Sequence, residues 1–416
     1  MRKPRLNSPL ETQEYPQHVP APQVGTSTYL VLLRNYWPLY SMVFLVGMEN
    51  FIVSPFIPTM ARTLGTSISA VATLAVAYSL TYAVTAPFFG YASDRIGRSP
   101  LLISGISLFA AGNLIVSFGN SLLILQIGRA ITGLGGAMAG PTIWAILAAT
   151  SADLRGRAIG LGMASFSTGQ IVGIPVGGFI AGASTWRTAF AGIGVFAIPL
   201  LAFNYWKIVR RKKCGASHVQ SAGPVISVWS PWLRKPVRLA LCVTFLFHAA
   251  SLASYTFVGT AFSIKYALST QWLGFLGVLV GAGSVAGSFV AGSLNDLHPR
   301  HTARLPFIGA LGVAFLIPIT FSSVPIVLSL VTLFLWFFIS GAFVTTQQTV
   351  LSRFGPDMRA TALSWNNSIM HAGVGIGVTL MSVATAAGMS PSVVAILFSL
   401  GCAAAATFLR IAIRAS

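Results

Sequence analysis

Of the seven acidic residues in this chain, Glu49 alone falls inside a long apolar run, about a dozen residues from either end of Tyr36–Arg62. A carboxylate at membrane depth costs about 2.5–3.5 kcal/mol on insertion scales, so it is normally kept for proton or ion handling. The plainer alternative is a neutral, hydrogen-bonded structural acid. The matching cation is Arg129, inside another apolar run. Counted from the outer ends of their spans, Glu49 stands about nine residues in and Arg129 about eight. At 1.5 Å per residue both sit about 12–14 Å below the same surface, which permits a direct or water-mediated pair. Burial disfavours an ionised carboxylate and a nearby guanidinium favours it, so protonation and pairing can be exchanged for one another. A helix staple without proton chemistry is the other reading of Arg129.

Further polar and aromatic residues are candidates for a ligand cavity: Asn50, Tyr78, Tyr82, His248, Tyr255, Asn367 and His371. Tyr78 and Tyr82 share a helix face at i, i+4, as do Asn367 and His371; His248 and Tyr255 share one at i, i+7. Aromatic and amide groups around an apolar cavity suit bulky amphipathic ligands. His248 and His371 are also second candidates for carrying a proton. Cys214, Cys242 and Cys402 have neither metal nor redox spacing. No metal, cofactor or nucleophile–base pair is expected, so an enzyme is not. Gly-x4-Gly-Lys-[Ser/Thr] does not occur, which excludes the usual ATP-binding loop.

The elements that must position these residues follow from composition. Hydrophobic residues make up 55% of the 416, and charged residues 8%, far below the quarter usual in soluble domains. Spans are expected near 36–60, 69–91, 100–119, 122–149, 157–182 and 187–207. Six more are expected near 238–262, 271–294, 304–322, 324–350, 361–386 and 391–412. Residues 1–35 read as a disordered tail without a cleavable signal. Residues 208–236, basic and holding Pro224, Pro231 and Pro236, read as a linker between halves 36–207 and 237–412. The net charge of +19 is concentrated in every second polar break, while the others hold only Arg62, Arg187 and Lys265. That alternation is a topology signal that places both termini in the cytoplasm. It gives no reason to expect nucleic acid.

The halves repeat. Asp94 and Asp296 follow spans two and eight (296 − 94 = 202), and Asp153 and Asp357 follow spans four and ten (357 − 153 = 204). A nearly constant offset implies parallel repeats with a ligand site between them. The polar break Gly90-x3-Asp94-Arg95-x-Gly97-Arg98 resembles the loop motif of the major facilitator superfamily, with Ala92 and Ser99 departing from the usual residues. Leu125-x3-Arg129-x2-Thr132-Gly133 and Trp186-Arg187-x2-Phe190 resemble that family's patterns in span four and at the turn into span six. Gly160-x8-Gly169-x3-Gly173-x3-Gly177-Gly178 resembles the span-five motif of the 12-span drug:proton antiporters, with Pro175 displaced by one residue.

The resemblance implies an all-α integral membrane protein of twelve helices in two pseudo-symmetric halves, alternating access between two sides of a membrane. It also implies that Gly90–Arg98 latches helix ends against span eleven near Arg359, and that spans one and four line the cavity. The expected function is proton-coupled export of small amphipathic molecules by a monomer in a bacterial inner membrane. Its partners are substrate, protons and the lipid bilayer. Export of a sugar, nucleoside or amino acid, and a membrane sensor without flux, are the alternatives.

Overall fold

The computed structural model describes residues 26–150, 152–210, 228–297, 304–352 and 359–415. Twelve apolar helical spans account for almost all of them. Spans one to four are Thr26–Leu64, Ile68–Ile96, Arg98–Phe118 and Leu122–Ala148. Span five is composite: Ala152–Thr168, a π-helical turn Gly169–Gly173, then Ile174–Ala183. Span six is Trp186–Asn204, continued by a π-helical stretch Tyr205–Arg210. Spans seven to twelve are Lys235–Tyr266, Thr270–Leu297, Leu305–Phe321, Ile326–Ser352, Arg359–Ala386 and Pro391–Ala415. Eleven spans are long and apolar enough to cross a bilayer; Leu305–Phe321 is a shorter apolar helix.

Span one begins at Thr26, ahead of the expected start at Tyr36, so residues 26–35 are helix rather than tail. Its first turns hold no proline or glycine to stop them, and Leu32 is buried. Most of the expected linker, 211–227, lies outside the described residues.

Local chemistry sets the boundaries. Ser67 and Ser121 cap spans two and four, each accepting a backbone N–H from three residues on, which satisfies one of the open donors of a first turn. Gly97, at φ 98°, makes the corner between spans two and three in a conformation that side chains rarely adopt. Pro236, Pro306 and Pro391 sit in first turns, where the missing N–H costs no hydrogen bond.

Lipid does not drive apolar helices together, so backbones meet where small residues let them. Gly105, Gly112 and Gly135 press spans three and four together, and Gly47 and Gly169 press span one against span five. Gly283, Gly287 and Gly341 do the same for spans eight and ten, and Gly373 and Gly377 for spans seven and eleven. Three seams join the first six spans to the last six. Span one meets span seven where Gly259 abuts the Ser54 backbone; span five meets span eight where Gly178 faces Gly274; span two meets span eleven along Leu80–Gly375 and Gly90–Ser364.

Candidate functional site

Glu49 and Arg129 form an ion pair between spans one and four, at 0% and 2% exposure. The guanidinium Nη1 donates to Glu49 Oε1 and Nε donates to the Leu74 carbonyl of span two at 3.4 Å. Its plane lies over the Tyr78 ring, 4.7 Å from the centroid, with Phe190 of span six 6.0 Å away. Arg129 therefore has a counter-ion and a carbonyl at its donors and a ring against its face. Glu49 is less complete: Oε2 is buried and has no partner. Three features keep the pair in place. Ser54, one turn beyond Glu49, donates to the Tyr255 carbonyl at 2.7 Å and ties span one to span seven. Gly133 lets span four lie against the Tyr78 backbone, and Gly136 makes room for the Tyr78 hydroxyl.

From the pair an aromatic stack crosses between spans two and eleven. Tyr78 and Tyr82 have centroids 6.3 Å apart, and His371 lies 4.0 Å from Tyr82 and 5.8 Å from Tyr78. His371 Nδ1 and the Tyr78 hydroxyl are buried without a partner. The site thus runs from one carboxylate, through a guanidinium and two phenols, to an imidazole on the opposite set of spans.

Span five carries the glycine motif against two neighbours. Gly169 abuts the Phe44 carbonyl, Gly173 the Met48 side chain and Gly177 both Met48 and Ile52, all on span one. Gly178 faces Gly274 of span eight. The π-helical turn spans Gly169–Gly173 and ends two residues before Pro175. A π-turn takes in one residue more than an α-turn, and Pro175 has no N–H to bond the carbonyl four residues back. Beyond this turn Gly177 still reaches span one and Gly178 span eight.

Residues 39–378 match the Major Facilitator Superfamily. The chain belongs to that family. It is 24% identical over 360 residues to YceJ, a major facilitator-type transporter of Bacillus subtilis, covering 84% of this chain and 88% of that one. It is 28% identical over 267 residues to a chloramphenicol resistance protein of Streptomyces lividans, covering 63% and 67%. Among solved structures, a bacterial homologue of the human lysosomal transporter Spinster, inward-facing and occupied, superposes with a TM-score of 0.72 at 17% identity. The match covers 94% of this chain and 98% of that one.

In this major facilitator transporter the other expected site residues are distributed unevenly. His248 Nδ1 lies 2.8 Å from the Thr244 carbonyl of its own helix, with Phe343 beside it. Tyr255 packs edge-on against Phe51 and Phe337, joining spans one, seven and ten. Asn50 and Asn367 are half-buried. The neighbour Asn366, not singled out from sequence, is the buried amide: it accepts from Thr244 at 2.6 Å, and Gln347 of span ten donates to the same Thr244. The signal available for it was two adjacent asparagines in an apolar run; choosing between them needs the helix's rotation.

In the loop motif, Gly90 lies against Ser364 of span eleven and Gly97 makes the corner. Arg98 donates to the Ala145 carbonyl near the end of span four at 3.0 Å, where carbonyls lack helical partners. The side chains of Asp94, Arg95 and Arg359 lie outside the described residues. At the opposite end Arg187 donates to the Gly119 carbonyl at 2.9 Å and covers the Trp186 ring, fastening span six to span three.

Proposed function

We propose that the chain is a proton-coupled exporter of bulky, amphipathic organic molecules. The observation that carries this reading is the Glu49–Arg129 pair, buried between spans one and four with one carboxylate oxygen open. A proton on Glu49 removes its charge and weakens the pair; loss of that proton restores it. Substrate exchange is coupled when the two states favour opposite faces of the membrane. The aromatic surroundings, Tyr78, Tyr82, Tyr255 and Phe51, supply flat apolar faces suited to such substrates. The resistance protein of Streptomyces lividans supports the same substrate class.

In this reading residues 36–207 rock against 237–412, with 208–236 as cytoplasmic linker and both termini in the cytoplasm of a bacterial inner membrane. Gly90–Arg98 holds one access state, with Asp94 the charge released in the other. The protein works as a monomer.

The deciding experiment compares the wild-type chain with Glu49→Gln in an efflux-deficient host, over a panel of antibacterial compounds, and then in proteoliposomes. Wild type is expected to raise resistance and to drive uphill transport on a pH gradient. Glu49→Gln is expected to bind and exchange substrate downhill but not to concentrate it. Uphill transport by Glu49→Gln overturns the reading. Exchange of one proton for a neutral substrate moves one charge, adding about 2.3 kcal/mol per 100 mV of membrane potential, while exchange for a monovalent cation moves none.

A further inference from the structure

Seven of the seventeen buried side-chain polar atoms that lack a partner among the described residues belong to spans one, two and eleven. Five of the seven are Glu49 Oε2, Tyr78 Oη, His371 Nδ1, Ser368 Oγ and Ser364 Oγ. Glu49 reaches Tyr78 through Arg129, and Tyr78 and Tyr82 reach His371 across the seam. Ser368 and Ser364 lie three and seven residues before His371, on the same face of span eleven. They extend this series about 10 Å further toward the end of the bundle where Arg98 lies. Opposite them span two shows Tyr82, Ala86 and Gly90 at i, i+4 and i+8; a Cβ on Gly90 would stand 3.2 Å from Ser364 Oγ. Beyond Tyr82, whose hydroxyl lies toward Gly140 of span four, Ala86 and Gly90 have no side chain able to hydrogen-bond, so those groups come from span eleven.

Packing does not ask for them. A buried group left without a hydrogen-bond partner is destabilising, and several in one seam are a poor way to join two helices. The repeat allows a partial comparison, since the seam of spans five and eight has one such group of its own, Gln170 Oε1. At the offset of 204 (357 − 153), Ser364, Ser368 and His371 correspond to Gly160, Ala164 and Ser167 of span five, which meets span eight in the equivalent seam. Two of the three counterparts have no polar side chain. In native proteins, buried polar groups without protein partners are commonly satisfied by ordered water.

We propose that Tyr78, His371, Ser368 and Ser364 hold a file of water that carries the Glu49 proton to the cytoplasmic face. The proposal rests on Glu49 being the proton carrier. The Glu49 O–H bond breaks and its proton passes to the first bridging water. His371 takes a proton on one ring nitrogen and gives one up from the other. One proton emerges past Ser364, and Glu49 is left as a carboxylate against Arg129. No other reactant is consumed. The titratable groups around His371 are Tyr78 and Tyr82 from span two and His248 from span seven; Glu49 faces Arg129, whose guanidinium lies over the Tyr78 ring. Because the file lies between the two sets of spans, parting of the seam interrupts it, and proton release is confined to one access state.

The test uses the full chain in proteoliposomes with ethidium, a flat lipophilic cation, as probe. Two rates are read: accumulation driven by a pH gradient, and downhill exchange without one. Ser368→Ala and Ser364→Ala are expected to slow accumulation about tenfold, the effect of one missing hydrogen bond on a barrier, with downhill exchange unchanged. Ser368→Thr, which restores the hydroxyl, is expected to restore the rate. Wild-type accumulation by both variants, or equal loss of both rates, overturns the route. If Glu49→Gln is uncoupled while Ser368→Ala and Ser364→Ala pump normally, the route alone fails. If wild type and Glu49→Gln behave alike, the proton-coupled reading itself fails.

Discussion

Spans one and four meet through a charge, while spans seven and ten meet at the matching depth through neutral groups. At the offset of 202 (296 − 94), Glu49 corresponds to Ser251. Ser251 Oγ lies 2.8 Å from Ser340 Oγ and accepts the Trp336 indole N–H at 2.7 Å, and Ser340 donates to the Trp336 carbonyl at 3.0 Å. The neutral network is closed on itself. The charged one leaves Glu49 Oε2 unbonded and lies beside a Tyr78 hydroxyl in the same condition. A scaffold needs only the first arrangement. A buried ion pair is weak evidence for stability, since apolar replacements are often as stable; its presence on one side only fits a group that must change state.

The glycine contacts, by contrast, are common to the two halves. Gly169 of span five abuts the Phe44 carbonyl of span one, and Gly373 of span eleven abuts the Phe245 carbonyl of span seven. The offsets are 204 and 201 (373 − 169 and 245 − 44), so this contact is duplicated scaffold. The π-helical turn and Pro175 are not duplicated: span eleven is α-helical throughout Arg359–Ala386, with Thr379 at the place of Pro175. What distinguishes span five is therefore its irregular turn rather than its small residues, and π-turns recur at functional sites.

The largest expected difference separates Glu49 from Ser251. Glu49→Gln is expected to remove gradient-driven accumulation, measured in proteoliposomes, while Ser251→Ala retains it. Accumulation lost equally in both variants would erase the contrast between the two contacts.

The next is in stability. Arg129→Leu strips a buried carboxylate of its counter-ion, and breaking such a pair from one side costs about 3–5 kcal/mol. The Glu49→Leu/Arg129→Leu double variant leaves no buried charge and is expected to recover most of that. Thermal unfolding in detergent measures both. A double variant as unstable as Arg129→Leu would mean that Arg129 acts through the Leu74 carbonyl and Tyr78 instead.

Smaller, and expected to be equal on the two sides, are Gly169→Ala and Gly373→Ala. Each methyl is driven into a facing backbone carbonyl, and overpacking of this kind costs about 1–3 kcal/mol. Unequal losses in the same unfolding measurement would show that the π-turn lets span five yield where span eleven cannot.

Much of this was legible in the sequence because it depends on one helix at a time. The spans follow from apolar length, and counting depth from span ends brought Glu49 and Arg129 to the same level. Contacts that depend on helix rotation or on a third span were not legible. Asn366 rather than Asn367 is the buried amide, a difference of one helical step. The family resemblance brought spans two and eleven together, but the stacking of His371 on Tyr82 also depends on how each helix is rotated, which neither local pattern encodes. The displaced proline signalled a kink, but the π-turn ahead of it was not read from the sequence. The first turns of span one were missed because the polar tail and Arg34 outweighed a segment with nothing to stop a helix.

The smallest effect concerns Trp336. Trp336→Phe removes the indole N–H while keeping an aromatic ring in a site that is fully buried. The Ser251 hydroxyl loses a donor but keeps Ser340 as a partner at 2.8 Å, so it is not left orphaned. The cost is then that of one neutral hydrogen bond plus a slightly smaller ring, about 0.5–1.5 kcal/mol. Transport should be unaffected, because nothing in this network changes charge during a cycle. Unfolding temperature and accumulation rate measured on the same preparation separate the two consequences. A normal unfolding temperature with slowed accumulation would place the spans seven–ten contact in the working cycle, and the division of labour between the two halves would have to be withdrawn.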